Sequence, residues 1–167
     1  MAKKVAFVSL VSRSPEPTVE RLVGDLVPPR EFALASFKNY LPHTEFPSQA
    51  EASTIASNFA AGKRVKKGLF AKAEDPKIGI YLDGGFGVGK THLLASVFHS
   101  FSGKKAFGSF ISFTSLIGAL TFPKALEALS RFELICIDEF ELDDPGDTMM
   151  MSRLLNELSA KGIKFAA

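Results

Sequence analysis

Gly84-Gly85-Phe86-Gly87-Val88-Gly89-Lys90-Thr91 is the part of this chain whose residue types and spacing do the most chemistry. The run fits the pattern G-x-x-x-x-G-K-[ST], in which backbone amides and a lysine gather around phosphate groups. Glycines let the backbone wrap closely with successive N–H groups pointing inward. A helix starting at Lys90 adds its partial positive charge at the same spot. In that arrangement Lys90 reaches the β- and γ-phosphates of a nucleoside triphosphate and the Thr91 hydroxyl ligates magnesium. His92 follows directly and is counted with the phosphate-loop residues as a candidate for the cofactor site.

A second acidic element supports the first. Leu134-Ile135-Cys136-Ile137 is an apolar run ending in Asp138-Glu139, and 47 residues separate Lys90 from Asp138. In P-loop enzymes a carboxylate at the tip of a neighbouring strand holds the magnesium, which assigns Asp138 as a metal ligand. Glu139 then faces the γ-phosphate and orients or deprotonates the attacking water. Lys90 and Glu139 are the candidate catalytic residues. One of Asp143, Asp144 and Asp147 reads as the cap of a following helix. His43, His92 and His99 have no ligand spacing with one another or with Cys136.

These residues need elements to hold them, and the pattern along the chain supplies a set. Ile78 to Leu82 reads as a strand and Lys90 to about Phe101 as a helix. Ala106 to Phe113 reads as a second strand, followed by helical turns from Ser115 to Leu129. Phe132 to Asp138 is a third strand, Asp147 to Ala160 a helix stopped by Gly162, and Ile163 to Ala166 the start of a fourth strand. Strands alternating with helices predict an α/β fold, a mostly parallel sheet covered on both faces. Upstream, residues 15–27 read as a short amphipathic helix carrying Val19, Leu22, Val23 and Leu26 on one face, stopped by Pro28-Pro29. Residues 30–47 read as extended, bearing Phe32, Phe37, Tyr40 and Phe46. Ser48 reads as the cap of a helix running to about Lys67, with Ile55, Phe59 and Val65 inward and a basic end at Lys63, Arg64, Lys66 and Lys67.

Composition narrows the class. The 167 residues carry 46% hydrophobic and 23% charged residues, as a soluble single domain does. Twenty basic residues against 18 acidic ones leave a net charge of +2, so nucleic acid is not required as a partner. No apolar run has the length of a membrane span. The single cysteine excludes an internal disulfide and a multi-cysteine zinc site, and its apolar neighbours predict a packed thiol. The expected compartment is cytoplasmic.

Gly84 to Thr91 together with Ile137-Asp138-Glu139-Phe140, Asp144 and Asp147 resembles the AAA+ ATPases of the ZapE/AFG-like type. Pro28-Pro29-Arg30, Phe32, Ser36-Phe37-Lys38-Asn39-Tyr40 and Pro47-Ser48-Gln49 resemble that family's N-terminal signature. The resemblance implies a P-loop NTPase fold of the AAA+ (ASCE) kind, three layers α/β/α and incomplete at the C-terminus. It further implies ATP and Mg2+ as cofactors, hydrolysis to ADP and phosphate, a homo-oligomer in the full-length protein, and FtsZ as a protein partner. It divides the chain into a lead and helix over 1–30 and the N-terminal part of the ATPase domain over 31–167. By the same likeness, Phe37 to Tyr40 packs near the adenine; without it, the segment is a hydrophobic strap.

The chain is expected to be the N-terminal part of a longer protein. The fourth strand that lies beside the P-loop strand in AAA+ domains, with its sensor residue, the arginine finger and the lid, is expected to be missing, weakening the sheet around the site. Two other readings compete. A helicase-loader-like ATPase of the DnaC/IstB type would grip single-stranded DNA in a salt-dependent way. A small-molecule kinase would pass the γ-phosphate to an acceptor, against which the placement of Glu139 speaks.

Overall fold

The computed structural model describes residues 18–62, 78–140 and 144–167. Four short strands form one sheet: β1 (Gly79–Ile80), β2 (Lys105–Ser109), β3 (Leu134–Asp138) and β4 (Lys164–Ala166). Their order is β1-β4-β3-β2 and every pairing is parallel. Six helices accompany them among the described residues: α1 (Val19–Gly24), α2 (Pro47–Ala60), α3 (Lys90–Ser100), α4 (Phe110–Leu120), α5 (Phe122–Leu129) and α6 (Pro145–Ser159).

The centre of the sheet explains the three layers. All of Leu134 to Ile137 is buried, yet side chains along a strand alternate between faces. Leu134 and Cys136 pack with α2 and α3, alongside Ala56, Phe59, Leu94 and Val97. Ile135 and Ile137 pack the other way, with Phe113 and Ile117 of α4, Leu129 of α5, and Leu154 and Leu158 of α6. A strand buried on both faces must read as a continuous apolar run, as this one does.

β4 overturns one expectation. The strand beside the P-loop strand is expected from the sequence to be missing. Instead β4 lies inside the sheet, with Phe165 level with Gly79 on one side and Ile135 on the other. The Leu82 amide donates to the Ala167 carbonyl at 2.6 Å, so pairing continues past the end of β1. At the far edge, the chain after α1 covers β2: the Phe107 amide donates to the Leu26 carbonyl at 2.9 Å. That bond occupies a backbone group an edge strand would otherwise leave exposed.

Other boundaries moved for local reasons. The helix expected over 15–27 is shorter within the described residues, capped by the Thr18 side chain, and Leu26 is buried beyond its end. The stretch 30–47 is not extended. It opens with a 3-10 turn at Arg30–Phe32 and runs through further turns. Helix α2 begins at Pro47 with no side-chain cap, so Ser48 is already inside it, and it stops at Ala60. Proline suits a first turn because its missing amide has no partner there anyway. Val65 and the basic residues 63–67 lie outside the described residues. Strand β2 ends at Ser109, whose hydroxyl accepts from the Ser112 amide, so Phe110 to Phe113 are helical. The helical stretch to Leu129 is two helices, broken at Thr121 (φ 72) with Pro123 in the first turn of α5. Helix α6 is capped by Asp144, whose carboxylate accepts from the Asp147 amide at 2.9 Å.

Cys136 is fully buried on β3. Burial pushes its thiol well above the ordinary value; nearby Lys105 opposes this and Asp138 adds to it. The native thiol should therefore resist alkylation at pH 8 and react on unfolding. A raised folded pKa gives stability that is present below the free-thiol value and declines above it. Above about pH 8.5 the wild type should lose up to ~1.4 kcal/mol per pH unit from this group. Urea unfolding of wild type and Cys136→Val from pH 7 to 10 measures that difference in slope.

Candidate functional site

The loop Gly84 to Gly89 connects the end of β1 to α3, and two of its glycines have left-handed backbone: φ 76 at Gly87 and 88 at Gly89. An L-residue side chain disfavours that region, and glycine enters it freely. At Gly89 space is a second constraint, since a Cβ there would lie 2.7 Å from Cε2 of Tyr40. Inside the loop, Lys90 turns its ammonium back to donate to the carbonyls of Gly84 at 2.6 Å and Gly85 at 2.8 Å. Phe86, at the loop's tip, is almost wholly exposed.

Asp138 ends β3, and by strand alternation it shares the face of Leu134 and Cys136, toward α3. The Thr91 hydroxyl on the first turn of α3 donates to Asp138 Oδ1 at 3.2 Å. Lys90, Thr91, Asp138 and Glu139 line one cavity of about 580 Å³, with Gly84, Phe86, Gly87, Val88, Gly89 and His92 on its loop side. Loop and acidic pair therefore occupy the same rim of the sheet. Gly85 lines the adjoining cavity instead.

Glu139 is exposed and has φ 50, a left-handed backbone in a residue other than glycine. The chain turns sharply there, out of the strand. Phe140 anchors the turn: its ring meets Phe110 at 5.6 Å and Tyr81 at 6.4 Å, both edge-on. Such pairs contribute on the order of 1 kcal/mol each, comparable to the strain of one left-handed residue.

The residues upstream form a strap over α3. Asn39 ties it internally, its Oδ1 accepting from the Ser36 amide and hydroxyl and its Nδ2 donating to the Leu34 carbonyl. His92 Nε2 bonds the Ser36 carbonyl at 3.1 Å and Asn39 Oδ1 at 3.0 Å, and His99 Nε2 the Phe32 carbonyl at 3.0 Å. All three partners accept, so each Nε2 carries the proton. The His92 ring is thus committed to the strap. Phe37 packs against the core shared by α2 and α3. Tyr40 donates to the Val88 carbonyl at 2.9 Å, and partial burial holds its phenol above the ordinary value. Asn39, Tyr81 and the anchoring ring of Phe140 were not visible as site residues from spacing, because their roles depend on contacts between distant segments.

Beside the loop lies a second cavity of about 630 Å³, lined by Tyr40, Phe46, Ile55, Ile80, Leu82 and Val88 among others. Phe46, Ile55 and Tyr81 are large apolar residues left exposed, and all three line it. Two hard oxygen donors, the Thr91 hydroxyl and the Asp138 carboxylate, meet beside a glycine loop, a donor set that suits magnesium. No cluster of three or more His, Cys, Asp or Glu that could hold a metal ion occurs among the described residues. No described helix is long and apolar enough to cross a membrane.

Residues 17–167 match the family model of the AFG1-like ATPases. A solved structure of a DNA replication initiation factor is similar to this chain with a TM-score of 0.58 and 14% identity. The likeness covers 85% of this chain and 42% of that one, so the chain spans less than half of its length. At that identity it speaks for the fold alone, an α/β arrangement with helices packed on both faces of a parallel sheet. No curated protein matches the sequence.

Glu139→Gly should relieve the backbone strain and leave stability equal or higher by up to ~1 kcal/mol. Phe140→Ala should cost about 2 kcal/mol, less than a fully buried phenylalanine because the ring is only partly covered. Urea unfolding of both variants checks the pair, and a loss of stability in Glu139→Gly would contradict the strain.

Proposed function

The chain belongs to the AFG1-like ATPase family, and from that premise we propose that it binds ATP with magnesium and hydrolyses it to ADP and phosphate. The observation that carries this reading is the hydrogen bond from Thr91 to Asp138, which brings the glycine loop and the acidic strand end to one cavity.

The loop glycines and the start of α3 hold the phosphates through backbone amides. Lys90, now bonded to two loop carbonyls, exchanges those bonds for β- and γ-phosphate oxygens. Thr91 and Asp138 hold magnesium, which supplies positive charge against the phosphate oxygens. Glu139 accepts a hydrogen bond from a water, turning its lone pair toward the γ-phosphorus and taking up the proton as the new P–O bond forms. The bond from the γ-phosphorus to the bridging oxygen breaks, and ADP leaves with that oxygen. The mainly apolar cavity lined by Tyr40, Phe46 and Ile55, which Asp83 and Lys90 also line, takes the adenine beside the strap.

Likeness to the ZapE/AFG-like proteins supports the rest of the proposal. Copies of the full-length protein assemble, a neighbour contributes an arginine to the γ-phosphate, and turnover remodels a protein partner, FtsZ in bacterial members. The compartment in this reading is the cytoplasm.

Lys90→Ala should lower nucleotide affinity at least a hundredfold, on the order of 3 kcal/mol for removing a charge-assisted hydrogen bond from a phosphate site. Glu139→Gln should retain ATP and slow phosphate release a hundredfold or more. Fluorescent-nucleotide titration and a phosphate-release assay read the two effects separately. Full turnover in Glu139→Gln would remove that residue from the chemistry.

A further inference from the structure

The bond between Tyr40 and the Val88 carbonyl has a consequence on the opposite side of that peptide. All peptide bonds among the described residues are trans. In a planar trans peptide the carbonyl and the following N–H point in opposite directions. Val88 and Lys90 line both cavities beside the loop, but Tyr40 lines only the more apolar one, and Gly89 only the one that holds Thr91 and Asp138. With the Val88 carbonyl drawn toward Tyr40, the Gly89 N–H is turned toward the cavity on the other side.

We propose that Tyr40 is a positioning residue for phosphate recognition, its hydroxyl fixing the 88–89 peptide so that the Gly89 amide faces the phosphate cavity before any nucleotide arrives. The inference rests on the nucleotide reading of the loop and adds a residue 48 positions upstream of Val88. Three observations support it independently of the distance of that bond. The Tyr40 ring is pressed so closely on Gly89 that a Cβ there would sit 2.7 Å from Cε2. Its ring also lies 5.6 Å from that of His92. His92 in turn bonds the Ser36 carbonyl and Asn39 Oδ1, so Tyr40 extends from a segment already tied down on α3. A glycine-rich loop has many conformations to lose on binding, and a donor fixed from outside removes some of that loss in advance.

The test separates phosphate from base. Tyr40→Phe keeps the ring against Gly89 and deletes only the hydroxyl. ADP affinity, measured by competition against a fluorescent nucleotide, should fall about fivefold, the weight of one neutral hydrogen bond. Adenosine, which lacks phosphates, should lose distinctly less affinity than ADP, because the ring that lines the base cavity stays in Tyr40→Phe. Equal loss for ADP and adenosine would overturn the proposal, because Tyr40 would then act through the base cavity; unchanged ADP binding would overturn it as well. Absence of ADP binding by the unsubstituted chain would overturn the nucleotide reading and this inference together. A second measurement does not depend on the variant folding. In the unsubstituted chain with 15N-glycine, the Gly89 amide resonance should move strongly downfield on adding ADP, and an unmoved resonance counts against the proposal.

Discussion

Parallel strands impose a direction on the molecule: every strand in this sheet ends at the same rim, so whatever follows β1 and whatever follows β3 must emerge side by side. The glycine loop follows β1, and the acidic pair follows β3. Reversing either strand would carry Asp138 the length of the strand away from Thr91. The 3.2 Å hydrogen bond between them is thus a product of the sheet's polarity before it is a property of either side chain. Strand β4 enforces the spacing, since it separates the two strands and pairs with both.

Within that frame, alternation decides which groups face α3. Leu134, Cys136 and Asp138 share one side of β3, so burial of the first two aims the third at the helix that carries Thr91. Glu139 would point away if the strand continued. The left-handed turn at φ 50 breaks the alternation, and the ring of Phe140, set between Phe110 and Tyr81, holds the break in place. Core packing and site geometry are therefore one arrangement on β3.

The strap works differently. Ser36, Asn39, Tyr40, His92 and His99 are polar residues whose hydrogen bonds run between segments more than 50 positions apart in three cases. Their worth lies in fixing where the strap runs, because each neutral bond adds only on the order of 1 kcal/mol. The reading of 30–47 as extended failed here. Spaced aromatics and prolines indicate a segment that packs, but its turns are set by bonds such as those of Asn39, which spacing does not reveal.

The sequence by itself determined the α/β class, the loop from Gly84 to Thr91, the acidic end of the third strand and the burial of Cys136, because each is written in local residue order. Glycine at the loop, proline at a helix start and an unbroken apolar run act over a few bonds. Only the tertiary structure decided that β4 sits between β1 and β3, that Phe110 to Phe113 turn into a helix, that His92 faces the strap, and that Tyr40 grips the back of the loop. Those outcomes depend on which distant groups meet, and the free energy of meeting is shared among segments that no local pattern connects.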